Sequence, residues 1–131
     1  ENYYKRRKEI WQRYDEAFCN LPLDTPPPPE ENTRHAYHLY TILLRLEELN
    51  TDRDTIQQAL FEENIGTGIH FISLHLHPYY QKTFGFKKDD FPNAAYVSGR
   101  TISLPFSSKL SDEDVDDVIK TVTKVLKKYK K

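Results

Sequence analysis

Three of the chain's five histidines, His70, His75 and His77, fall within GTGIHFISLHLHPYY, the stretch from Gly66 to Tyr80. Imidazoles move protons and bind metals near neutral pH, and these stand among aromatics, after two glycines and around a proline. On an extended segment His75 and His77, two apart, share a face, so with His70 they could offer a metal three ring nitrogens. The rest of a zinc pattern is missing: there is no HExxH, no cysteine pair and no carboxylate close by in sequence, so no metal is expected. His35 and His38, three apart in a segment that reads as a strand, point to opposite faces, and at least one of them reads as a hydrogen-bonded core or edge histidine.

Other chemistries find less support. Gly66-x-Gly68 lacks both the third glycine and the preceding strand of a dinucleotide cradle. No GxSxG element occurs, so His75 has no evident partner for nucleophilic catalysis. Tyr79, Tyr80, Phe84 and Phe86 could stack on a base or a sugar, although aromatics in a mixed domain more often fill the core. The single Cys19 has no base nearby and reads as a small buried hydrophobe.

The elements that must position these residues are legible in part. Ile10, Trp11, Tyr14, Ala17 and Phe18 share one face of a helix from about Asn2 to Phe18. Pro26 to Pro29 lack amide donors and hold a stiff, extended connector. Ala36 to Leu46 alternates apolar residues on both faces, as a central strand covered on both sides would. Asn50 or Thr51 can cap a helix over about Asp52 to Asn64, with Ile56, Ala59 and Leu60 inward and Gly66 in the left-handed closing position. Ile69 to Ile72 is a short strand candidate, Pro78 to Phe84 a short helix, and Pro92 opens another helical turn that Gly99 closes. Thr101 to Phe106 reads as a strand. Ser111 with Asp114 forms a cap signature for a final helix, whose buried stripe is Val115, Val118, Ile119, Val122, Val125, Leu126 and Tyr129. Helix, strand, helix, strand, short helices, strand, helix predicts an α+β layer structure, a small antiparallel-type sheet packed with helices.

A chain of 131 residues with 37% hydrophobic residues fits one domain. Its formal net charge of -1 gives no global field that favours nucleic acid. No apolar run approaches the ~20 residues needed to span a bilayer, so no membrane partner is expected. One cysteine and no secretory leader make a reducing cytoplasm the expected location. There is no methionine, and the chain opens directly on a helix-like pattern, which reads as a piece of something longer.

GTGIHFISLHLHPYYQKTFG, followed by FPNAAYVSGRTISLPFSSKLSDEDVDDVI, resembles the C-terminal part of the pyridoxal-phosphate-dependent sugar aminotransferases of the DegT/DnrJ/StrS family. Upstream, RHAYHLYTILL resembles the first strand of that family's small domain, so the likeness runs from about His35 to the final helix. The GTGIHF wording and the short spacing from His70 to His75 are closest to the branch that aminates a UDP-linked 4-keto pentose, the 4-amino-4-deoxy-L-arabinose type.

The resemblance implies the type I (aspartate aminotransferase) fold, with residues 1–131 forming its C-terminal small domain. The cofactor lysine and most pyridoxal phosphate contacts would then belong to a large domain ahead of it, and this chain alone would not transaminate. It also implies glutamate and a nucleotide sugar as substrates, and a homodimer with active sites at the subunit interface. By the same likeness His75 falls near cofactor and sugar. His70 with Phe71 matches the aromatic lead-in, and His38 with Tyr40 the first-strand motif. His77 stands where many relatives carry Gln. The four histidines His75, His70, His77 and His38 are thus the expected substrate-binding residues, while Ser103, Leu104 and Pro105 match a strand expected to be structural. A different class of function, a non-catalytic module of aminotransferase descent that binds a sugar nucleotide or a protein, is parted from this by a native start near Glu1 and by the lack of an exposed apolar docking patch.

Overall fold

The computed structural model describes all residues from Glu1 to Lys131. Its order is α1 (Asn2–Phe18), β1 (Leu23–Asp24), β2 (Tyr40–Leu44), α2 (Arg53–Glu62), α3 (Pro78–Phe84), α4 (Pro92–Ser98), β3 (Thr101–Leu104) and α5 (Asp112–Tyr129). Short 3-10 turns at Leu46–Glu48, Leu74–Leu76 and Lys88–Asp90 join them. The sheet is antiparallel in the order β1-β2-β3, so the expected α+β class with a small antiparallel sheet is the observed one.

Register gives the sheet two unlike faces. Tyr40 pairs with Leu104 and Ile42 with Ile102, while Leu23 pairs with Leu44. By alternation these apolar side chains share one face, and they join the buried core with Tyr14 and Phe18 of α1, Ile56 and Leu60 of α2, and the Val115 to Leu126 stripe of α5. Thr41 pairs with Ser103 and Leu43 with Thr101, so the opposite face is largely hydroxyl-bearing. α1 packs on α5, and α2 on α5 and β3.

α5 forms as its sequence dictates. Ser111 accepts from the Asp114 amide at 3.0 Å while the Asp114 carboxylate accepts from the Ser111 amide at 2.8 Å, satisfying two otherwise orphaned donors. Arg6 and Arg13 of α1 both reach Asp112 at 2.8 Å, which ties the two helices together at that end. Trp11 sits edge-on to Tyr40 at 4.9 Å and to Tyr37 at 5.2 Å, anchoring α1 to the strand.

Several expectations are corrected. The central strand is Tyr40–Leu44 rather than Ala36 to Leu46, because Tyr37 takes φ 47° and breaks the extended path while its ring packs on Trp11 and His35. Leu23–Asp24, just ahead of the proline connector and assigned to no element from the sequence, pair with β2. α2 is capped by Asp52, which accepts from the Thr55 amide at 2.8 Å, not by Asn50 or Thr51. The left-handed residue after α2 is Asn64 (φ 65°), not Gly66, and asparagine tolerates that conformation through local polar contacts. Residues 69–72 form no strand, since only Gly68 pairs with β3 and the chain then leaves the sheet. Cys19 is exposed just beyond α1, its thiol donating to the Glu16 carbonyl at 3.2 Å.

Candidate functional site

β3 is the rail on which the histidine loop is mounted. Gly68 and Ser103 exchange both backbone hydrogen bonds, at 3.0 and 2.7 Å. That pairing carries the next residues across the hydroxyl-bearing face, where His70 Nδ1 lies 2.8 Å from Ser103 Oγ. Behind it Thr41 Oγ1 lies 3.0 Å from the same oxygen. His70 is exposed and its Nε2 has no protein partner, whereas Ser103 is buried. A Cβ on Gly68 would stand 2.9 Å from Cε1 of His70, so the ring closes over space that only glycine leaves free.

The other histidines are engaged elsewhere. His75 is buried in the Leu74–Leu76 turn, where Nε2 donates to the Lys88 carbonyl at 3.3 Å and the ring lies 5.0 Å from Phe91. It lines an apolar hollow of about 390 Å³ with Leu74, Tyr80, Phe86, Phe91 and Ala94. His77 is exposed, donates to the Ile72 carbonyl at 3.3 Å, and borders a second hollow with Arg53, Ile69 and Phe71. His38 is exposed in the approach to β2, while His35 accepts from the Tyr37 amide at 3.2 Å and sits edge-on to Trp11, a hydrogen-bonded edge histidine. No three His, Cys, Asp or Glu side chains converge as a metal site; His70, His75 and His77 each hold a separate partner because the segment bends into a turn instead of running extended.

A polar clamp that sequence spacing did not reveal holds this loop to α4. The Ser73 amide donates to Ser98 Oγ at 3.0 Å, Ser73 Oγ donates to the Ala94 carbonyl at 2.7 Å, and Arg53 donates to the Ser98 carbonyl at 3.1 Å. Tyr79, Phe84 and Phe91 are not core. With Phe71, Ile72, Leu74, Tyr96 and Val97 they are exposed, and no apolar residue between Ile65 and Ile102 enters the buried core. The Arg100 guanidinium lies over the Tyr96 ring, 4.2 Å from its centroid, and donates to the Leu44 carbonyl and to Glu47. No helix is long and apolar enough to cross a membrane.

An α+β domain with this topology and a glycine-led histidine loop on its strand edge matches the model of the DegT/DnrJ/EryC1/StrS aminotransferase family over residues 1–123, and the chain belongs to that family. It is 48% identical over 122 residues to the uncharacterized protein MJ1066 of Methanocaldococcus jannaschii, covering 93% of this chain and 32% of that protein. To the spore coat polysaccharide biosynthesis protein SpsC of Bacillus subtilis it is 47% identical over 124 residues, 94% of this chain and 32% of the relative. Among solved structures, Spr1654 from Streptococcus pneumoniae in its PLP-form superposes with a TM-score of 0.82 at 33% identity, over 96% of this chain and 32% of that one. The chain thus spans about a third of the length of the relatives it matches.

The family uses pyridoxal phosphate, which needs a lysine amine held over its ring in a shielded pocket. Every lysine of these 131 residues is exposed.

Proposed function

We propose that this chain is the C-terminal small domain, residues 1–131, of a pyridoxal-phosphate-dependent aminotransferase that passes an amino group from glutamate to a 4-keto nucleotide sugar, of the UDP-4-keto-pentose type. The cofactor lysine lies in the remaining two-thirds of the protein, the working enzyme is a cytoplasmic homodimer, and the domain alone is inactive. What carries this reading is the exposed apolar face over residues 71–97 joined to a core that ends at Ile65 and resumes at Ile102. Exposed apolar side chains gathered in one segment support cover by a larger body. The similarity to SpsC, a polysaccharide biosynthesis protein, supports a sugar substrate.

Within this reading the exposed His70 and His77 contact the substrate directly. His38, also exposed, borders it from the start of β2. His75 acts from beneath, because its buried ring holds the Lys88 turn against the loop.

The reaction itself is the test. The native-length protein, given glutamate labelled with nitrogen-15 and a UDP-linked 4-keto pentose, should move the label onto the sugar. Transfer to no keto nucleotide sugar, with the protein folded and loaded with cofactor, would contradict it.

A further inference from the structure

We propose that Ser103, backed by Thr41, is a positioning residue that fixes His70 with its proton on Nε2, so that His70 presents a hydrogen-bond donor to an acceptor oxygen of the substrate. The inference rests on the reading of His70 as substrate-facing.

Thr41 Oγ1, Ser103 Oγ and His70 Nδ1 form one chain with steps of 3.0 and 2.8 Å. Each hydroxyl has a single proton to give. If Thr41 donates to Ser103 and Ser103 donates to Nδ1, both hydroxyl protons are used, and the neutral ring must carry its own proton on Nε2. If Nδ1–H donated to Ser103 instead, either Ser103 would donate to Thr41 and leave the Thr41 proton with no protein acceptor, or Ser103 would accept from both and leave its own buried proton with none. Only the first direction pairs both hydroxyl protons within the protein, so it is favoured.

Two further features serve the same end. Ser103 is held on both sides, by the β2 pairing opposite Thr41 and by its double backbone bond to Gly68, so its hydroxyl is a fixed reference point. The lack of a side chain at Gly68 leaves the ring its place, since a Cβ there would stand 2.9 Å from His70 Cε1. The partner that suits an outward Nε2–H is an oxygen without a proton to give, such as a diphosphate oxygen or a sugar keto or ether oxygen.

The experiment uses the native-length protein with nitrogen-15 histidine and reads the tautomer of His70 by long-range proton–nitrogen correlation, with UDP as the binding probe. In the wild type His70 should show Nδ1 unprotonated and Nε2 protonated. S103A, and independently T41V, should turn this into a mixture, and S103A should weaken UDP binding about two- to tenfold, the value of one hydrogen bond. A wild-type ring protonated on Nδ1, or an unchanged signature in either variant, would overturn the inference. The wild-type spectrum decides even where a variant fails to fold. If H70A binds UDP as tightly as wild type while the tautomer result stands, the substrate-facing role of His70 fails and the positioning by Ser103 survives.

Discussion

The Tyr40 hydroxyl donates to Asp15 Oδ1 at 2.6 Å, a bond that joins the central strand to α1 beside the aromatic cluster of Trp11, Tyr14 and Phe106. Burial raises the Asp15 carboxyl above its ordinary range, with the Tyr40 bond opposing the shift, and burial likewise pushes the Tyr40 hydroxyl upward. Y40F should therefore cost about 1–3 kcal/mol, because it leaves a partly buried carboxylate short of a donor. Because the folded pKa of Asp15 is raised, its contribution is fully present below the unfolded value near 3.8 and is lost as pH rises through the folded value. D15N should abolish that fall in stability, as measured by urea unfolding across the acid range.

Asp112 behaves with the opposite sign. Arg6 beside it, and then Arg13, hold its carboxyl below the ordinary 3.8, so the link between α1 and α5 is present above that value and is lost as pH falls through the lower folded one. D112N should flatten this acid limb and reduce the salt sensitivity of unfolding, since the carboxylate is exposed. Identical urea midpoints for wild type and D112N at neutral and acid pH would contradict it.

G68A places a methyl 2.9 Å from the His70 ring. Its backbone angles are not left-handed, so the effect expected is displacement of the imidazole from Ser103, not strain in the loop. Loss of the His70 tautomer signature with a melting temperature close to wild type is the predicted pair of results. An unchanged His70 spectrum would show that the ring has room to spare.

Position in the fold separates two kinds of apolar residue. L60A, in the buried core, should cost about 2–5 kcal/mol by leaving a cavity. Phe84 is 59% exposed here, where a surface change is worth about ±0.5 kcal/mol. If the rest of the native-length protein covers this face, F84S in that protein should instead lower stability by about 1–3 kcal/mol. A melting temperature indifferent to F84S would leave the face uncovered.

Local signals made much of this fold legible. Val115 to Leu126 with the Ser111–Asp114 box specified α5, and prolines at the first turn marked α3 and α4. Long-range pairing was not legible. Leu23–Asp24 is too short to show a period, and Ile69 to Ile72 has strand-like composition but no neighbour beyond Gly68. The glycine-led histidine loop stood out in the sequence, whereas Ser103 read only as part of a structural strand, because its contact with His70 depends on a register that sets Thr41 opposite it and brings in His70 from 33 residues away. His75 could not be known as buried until the turn that buries it was seen.

The central claim is that these residues are one part of an enzyme whose cofactor lysine lies elsewhere in the same polypeptide. Borohydride reduction of the native-length protein with bound pyridoxal phosphate, followed by peptide mapping, tests it most directly. The account predicts one pyridoxyl-modified lysine outside residues 1–131. A modification on a lysine within them, or a native product of 15.5 kDa that takes up no cofactor, would contradict it.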